Sequence, residues 1–460
     1  MTSCVEMQRY TCAMGAMQTV VAIRRGVPIL HSGPGCGAMV SGFYERSRGY
    51  AGGSTAPCTN ASEREVVFGG EKRLADLVRN TFKVIKGDLF VVFPGCTSAI
   101  VGDNIAQVIA PFAGEGRPVV FADAPGFKYS NYEAHSVVVN AIIDQYVEKF
   151  HHEQKKNERL VNVFASVPFQ DPFWKGNLSE LKRLIEGLGL KANILFGPES
   201  DGVSEWRHIP AASFNVLASS WAGLPVVEHL REKYGQPYYH FPALPIGANA
   251  SVKFLTELLA FAQAHGADLD ERAARAFIKH EEESFYEEID NLAVFLLEFR
   301  YGLPSYVQIL HDANYAPALA GFLLHEVGIV PKGLFITDAT AECHQKRVRD
   351  FVSGVSGKRA IPVHFTADAG LAQEAIRKEA AETGAAEASA ADAASANHAG
   401  RGLIIGCGWD KSLARDLGRG FLSAGLPSPY RLHLTTPYAG FRGGLRVIED
   451  IYNTALAAYR

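Results

Sequence analysis

The sequence predicts an α/β chain made of three doubly wound domains. Three observations predict it. Short apolar runs alternate with helix-period segments along the whole chain, and those runs end at glycine- or proline-bearing turns. At 460 residues the chain also exceeds what one core can organise. The runs carry few polar residues, as strands covered on both faces do. The alternation divides the chain into residues 1–155, 156–300 and 301–460, the last with an Ala-rich insert near 374–400.

In chain order, Pro28–His31 reads as a strand entering the glycine turn Gly33-Pro-Gly35. Thr59–Glu65 has the character of a helix N-cap region with acidic residues in the first turn, where they meet the positive end of the helix dipole. It leads through Val66-Val-Phe-Gly-Gly70 into a helix over Glu71–Asn80. Leu89–Phe93 is a doubly buried strand ended by Pro94-Gly95, with Cys96 at the turn and a helical pattern behind it. Pro118–Ala122 is a further strand, and the charged stretch Lys149–Arg159 is a linker or surface helix. Leu160–Ser166, Leu178–Leu188 and Ala192–Phe196 make a strand–helix–strand unit. Ser213–Ala218 is a buried strand, Leu224–Tyr234 is amphipathic, and Asn249–Arg300 is one long helical region. The last third repeats the alternation: strand Ser305–Leu310, helix Ala316–Val327, strand Gly333–Thr337. The Ala-rich segment Glu374–Gly400 is expected as a helix running into a loop. Strand Gly402–Ile405 and a final helix after Tyr438–Gly444 close the chain.

Composition narrows the function classes. A hydrophobic fraction of 47% and a charged fraction of 20% are those of a soluble globular protein. The net charge of −4 gives no electrostatic case for nucleic acid. No run of about 18 apolar residues exists to span a membrane. Met1–Tyr10 has neither the basic start nor the apolar core of an export signal. Seven cysteines, an odd number in a chain of this size, point away from a disulfide framework and toward a reducing cytoplasm with some thiols held for metal.

Three of those thiols stand beside small residues at breaks in periodicity: Cys12 in Tyr-Thr-Cys-Ala-Met-Gly15, Cys36 in His31-Ser-Gly-Pro-Gly-Cys-Gly37, and Cys96 in Pro-Gly-Cys-Thr. At the carboxyl end of a strand in an open sheet, a thiol faces a ligand crevice rather than a core. Three such thiols suit one soft metal centre. Their separations of 23 and 59 residues match no zinc ribbon or ferredoxin spacing. Buried inert thiols are the competing reading. Of the other cysteines, Cys4 is expected free, Cys58 structural, Cys343 on a surface helix beside His344, and Cys407 in the core. His31 either hydrogen-bonds toward a metal group or stabilises its turn. Gly402–Gly408 is not a nucleotide fingerprint and nothing matches a P-loop, so any ATP belongs to a partner.

The full strings around Cys12, Cys36 and Cys96, with Val66-Val-Phe-Gly-Gly70, Asp171-Pro-Phe-Trp-Lys-Gly-Asn177 and Tyr438-Ala-Gly-Phe-Arg-Gly-Gly444, resemble the component 1 family of nitrogenase over nearly the whole chain. The resemblance implies three Rossmann-like domains. It also implies a P-cluster-type iron–sulfur cluster held by Cys12, Cys36 and Cys96 and shared with a homologous α-type subunit in an α2β2 complex. An ATP-dependent iron–sulfur reductase protein would serve that complex. No cysteine lies between Cys96 and Cys343, so the α-type catalytic-cluster cysteine is missing and the chain is similar to β-type subunits. The serine that ligates the cluster in some β chains corresponds here to Gly126, and only eleven residues precede Cys12. These departures place a nitrogenase-like reductase such as a methylthio-alkane reductase beside molybdenum nitrogenase. Two functions follow: an electron-relaying enzyme subunit, or a scaffold for metallocluster assembly. A metal-free glycosyltransferase-like protein is a third.

Overall fold

The computed structural model describes residues 12–46, 56–153, 155–299, 303–387 and 402–457. The first sheet comes from α1 (Met17–Val21), β1 (Gly26–His31), α2 (Pro34–Arg46), α3 (Glu63–Phe68), α4 (Glu71–Val84), β2 (Leu89–Pro94), α5 (Cys96–Val101), α6 (Ile105–Gly114), β3 (Val119–Phe121) and α7 (Asn131–Gln145). Its strands run parallel in the order β1-β2-β3. All six residues of β2 are buried, which is why it reads as an unbroken apolar run. Ser62 and Glu65 form a reciprocal capping box at the start of α3, the local reason the chain turns helical there.

The second sheet is built from β4 (Asn157–Phe164), α8 (Trp174–Gly187), β5 (Lys191–Ile194), α9 (Val203–Arg207), β6 (Ala212–Ala218), α10 (Leu224–Tyr234) and β7 (Tyr238–Phe241), with parallel order β5-β4-β6-β7. Side-chain amides tie its centre together. Asn162 donates to Asn215 at 2.8 Å and accepts from Asn193 at 2.7 Å, so the buried polar groups of three adjacent strands pair with one another. The long helical region is two helices, α11 (Gly247–Ala264) and α12 (Glu271–Phe299). Gly266, at φ +88°, breaks them apart.

The third sheet takes β8 (Tyr306–His311), α13 (Tyr315–Phe322), β9 (Val330–Ile336), α14 (Glu342–Ser356), β10 (Val363–Phe365), α15 (Ala369–Glu387), β11 (Leu403–Gly406), α16 (Lys411–Asp416), β12 (Gly420–Ser423) and α17 (Gly440–Ala457). Its parallel order β10-β9-β8-β11-β12 reverses direction between β8 and β11, the doubly wound arrangement. The expected loop beyond α15 lies outside the described residues. One hydrophobic core runs continuously through all three sheets.

Two crevices, one at the β4/β6 switch point and one at the carboxyl ends of β8 and β9, open toward each other. Where they meet, the space is about 20 Å³, room for roughly one water. Its lining includes Asp171, Ser219, Trp221, Asp312, Tyr315 and Asp338 and contains no thiol or imidazole.

Leu323–Val327 continues α13 as a wider π-helical turn. It presents Glu326 to the start of α11, where the carboxylate accepts from the Ala248 N–H at 2.7 Å and the Asn249 N–H at 3.2 Å. Burial raises the Glu326 carboxyl to about 7 against the opposing pull of those two N–H groups. An acid raised on folding withdraws stability as pH climbs from its unfolded value, near 4.5, through about 7. Glu326→Gln removes that term. The Tm of the wild type relative to E326Q should therefore fall between pH 4.5 and 7 and level off above. A difference that is flat or rises with pH contradicts this account.

Candidate metal centre

Cys12, Cys36 and Cys96 come from three separate turns; Cys36 and Cys96 follow the carboxyl ends of β1 and β2, and Cys12 meets Cys96 at Gly126 in the loop after β3. Cys12 immediately precedes a 3-10 turn, Ala13–Ala16, and forms a lone antiparallel bridge with Ser130. Cys36 lies in the first turn of α2. Cys96 is the first residue of α5, just beyond the carboxyl end of β2. The Gly95 N–H and the Ser98 hydroxyl both donate to the His31 carbonyl, at 2.8 and 2.6 Å, which fixes the Cys96 turn against the end of β1.

Gly126 shows how closely two of these thiols approach. A Cβ on Gly126 would stand 3.1 Å from Cys96 Sγ and 3.5 Å from Cys12 Sγ. Both sulfurs therefore face one position that carries only hydrogen. Cys36 completes the group electrostatically. Burial raises the Cys12 thiol, and charge on Cys96 and on Cys36 raises it further, while N–H groups of Met14 and Gly15 oppose. A positive group among the three relieves that repulsion, and thiolate is the ligand form of cysteine.

The thiols open outward: Cys12 is exposed and Cys36 and Cys96 are half-buried. Among the described residues no group of three or more His, Cys, Asp or Glu closes around a single metal ion. The donor set is soft and spread around a cradle that a methyl group would fill. It fits a polynuclear iron–sulfur group better than a lone ion. Large apolar side chains stand exposed on the elements that carry the thiols and on their neighbours: Met39 on α2, Ile100 on α5, Val67 and Phe68 on α3, and Phe127 beside Gly126. All five are more than half exposed, Phe68 at 82%. Exposed apolar side chains clustered on few elements are a common mark of an interaction surface.

The other sequence candidates fall elsewhere. Cys58 packs under the start of α2, its Sγ 3.0 Å from where a Cβ of Gly37 would stand, and its thiol is raised first by burial and further by Cys36. Sequence reasoning placed it in a structural role and did not foresee this contact. His31 is fully buried. Its Nδ1 meets Thr59 Oγ1 at 3.1 Å and its Nε2 donates to Asp103 at 2.9 Å, so both ring nitrogens serve the turn. Burial holds its pKa below the usual value despite Asp103. Cys343 is exposed, while His344 stacks on Trp221 at 5.6 Å, so the adjacent pair does not converge. Cys407 lies in the core, and Cys4 falls outside the described residues. His229 bonds Asp144, and His240 donates to the Ser219 carbonyl at 2.7 Å. His208 is exposed.

Three parallel sheets and a soft-donor cradle on an apolar face define the class: a multi-sheet α/β protein with chemistry suited to a thiolate-bound metal group. The family model described as "Nitrogenase component 1 type Oxidoreductase" matches residues 11–456, and the chain belongs to that family. The "Nitrogenase molybdenum-iron protein beta chain" of Methanococcus maripaludis is 24% identical over 98% of this chain and 94% of its own length. A chain of the light-independent protochlorophyllide reductase of Staurastrum punctulatum is 25% identical over 48% of this chain and 43% of its own length. The corresponding chain of Chloroherpeton thalassium is 28% identical over 43% of this chain and 35% of its own length. The match therefore spans less than half the length of those protochlorophyllide reductase chains. A solved structure titled "Nitrogenase Cp1 at pH 6.5" shares the fold, with a TM-score of 0.74, 20% identity, and coverage of 100% of this chain and 95% of that one. Two relatives matched over 96% and 98% of this chain are nitrogenase beta chains, and this chain is a nitrogenase-like β-type member of an oxidoreductase family. Among the described residues no helix is long and apolar enough to cross a membrane.

Proposed function

We propose that this chain is the electron-relaying β-type subunit of a nitrogenase-like reductase. Cys12, Cys36 and Cys96 hold one side of a P-cluster-type iron–sulfur group, and a homologous α-type subunit holds the other side in an α2β2 complex. The observation that carries the reading is the pair of sulfurs facing Gly126, on elements that also carry exposed apolar side chains. An iron–sulfur group bound there supplies low-potential one-electron storage. This chain's residues supply the rest. Three thiolates fix the group, Gly126 leaves it room, and the exposed apolar side chains of α2 and α5 exclude water once the partner closes over them. An ATP-dependent iron–sulfur reductase delivers electrons, because no nucleotide motif is present here.

Substrate chemistry belongs to the partner. The junction crevice of this chain offers carboxylates, hydroxyls and aromatic rings to a water-sized space, and no soft or imidazole donor to anchor a catalytic metallocluster. Gly126 in place of an oxygen ligand favours a reductase other than molybdenum nitrogenase, a methylthio-alkane reductase being one. The proposed units are residues 1–155, 156–300 and 301–460, in a cytoplasmic protein. Anaerobic purification with metal analysis and electron paramagnetic resonance tests the reading. The expected result is a stable heterotetramer whose iron stays bound through turnover. An iron-free monomer would overturn it. A metallocluster passed on to a second protein would instead make the chain an assembly scaffold.

A further inference from the structure

The electron relay leaves the buried pair His31–Asp103 without a role. The Asp103 side chain is only 6% exposed and bonds in two directions. One oxygen accepts from His31 Nε2 at 2.9 Å, and the other accepts from the Gly70 N–H, also at 2.9 Å. His31 closes β1, and its carbonyl receives both donors of the Cys96 turn. Ser32 then leads directly to the Cys36 turn, held by Thr59, which bonds His31 as well. On the other side, Gly70 stands two residues after the exposed Phe68 at the tip of α3, and α3 packs on α5, the helix that Cys96 begins. There is no slack at the join. A Cβ on Gly70 would lie 2.7 Å from the His31 ring and 2.9 Å from an Asp103 oxygen. In so close a packing a shift of the α3 tip is passed to His31 rather than absorbed.

We propose that Asp103, acting through His31, is a positioning residue that couples the α3 tip, residues 66–70, to the two turns carrying Cys36 and Cys96. The oxidation state of a cluster on those thiols and the order of the exposed tip then influence each other, and by linkage the coupling is equal in both directions. This inference rests on the reading that an iron–sulfur cluster occupies the trio.

The test is amide hydrogen exchange across residues 66–70 in the purified complex, dithionite-reduced against dye-oxidised, with iron measured in parallel. The wild type should show a state-dependent difference of roughly 5-fold or more at these amides. Asp103→Ala should keep its iron and exchange equally in both states. Asp103→Asn retains an acceptor for the Gly70 N–H and should restore part of the difference. The coupling is overturned if the wild type exchanges identically in both states, or if D103A keeps the wild-type difference. It is also overturned if D103A loses iron in step with the difference, since that would mark a structural role alone. A wild-type complex without iron would overturn both the coupling and the relay.

Discussion

Cys96→Ala is expected to strip iron from the complex while leaving the subunit folded. Cys96 is half-buried at the start of a short helix and contributes little to the core, so its removal should cost no more than about 1 kcal/mol of stability. As a ligand it is another matter. Losing a residue that merely supports a metal ligand costs roughly 10–100-fold in affinity, so losing a thiolate itself should exceed that range. Iron content and electron delivery should fall together, and Cys36→Ala should do the same. Cys407→Ala is the control: that thiol is wholly buried in the core, so its truncation should lower Tm and leave iron untouched. The assignment fails if C96A retains its iron, or if C407A loses it.

How far the sequence could reach depends on what each element buries. β2 was legible because both of its faces are covered, so the whole run is apolar. The α3 start was legible because capping is a local matter of Ser62 and Glu65. α7 was not read as a helix: it is buried on several sides, including Asn131, His135 and Ser136, and so carries no clean 3.6-residue stripe. β7, β10 and β12 are short and only partly buried, so they lack the apolar run that marks the equally short β3 and β11. Among site residues, the thiol trio showed itself through the small residues that let the chain turn beside each cysteine. Asp103 could not be read as the partner of His31, since only the fold brings two residues that far apart in sequence into contact. The strings Asp171–Asn177 and Tyr438–Gly444 were singled out by resemblance alone. The structure supplies their physical reason, since they bond each other between the second and third sheets.

That contact sets the largest stability effect expected in the chain. Asn177, at the buried start of α8, has 0% exposure and meets five partners. Its Oδ1 accepts from the N–H groups of Tyr438 and Ala439 at 2.8 and 2.9 Å. Its Nδ2, with two N–H bonds to share, lies within hydrogen-bond distance of Asp171 at 2.8 Å, Ser166 at 3.2 Å and the Tyr315 hydroxyl at 2.5 Å. Asn177→Ala orphans two buried N–H groups, each worth about 1–3 kcal/mol, and weakens the solvation of a buried carboxylate besides. A loss of roughly 2–6 kcal/mol follows, read as a fall in Tm and in the denaturation midpoint. Asn177→Asp keeps the acceptor for Tyr438 and Ala439 but sets a second carboxyl against Asp171, which burial has already raised to about 6. Two adjacent buried carboxyls cannot both ionise cheaply. N177D should therefore approach the wild type below pH 6 and fall behind it above, whereas N177A should lag at every pH. If both variants lag equally across that range, the damage lies in packing and the clamp is not the polar one described.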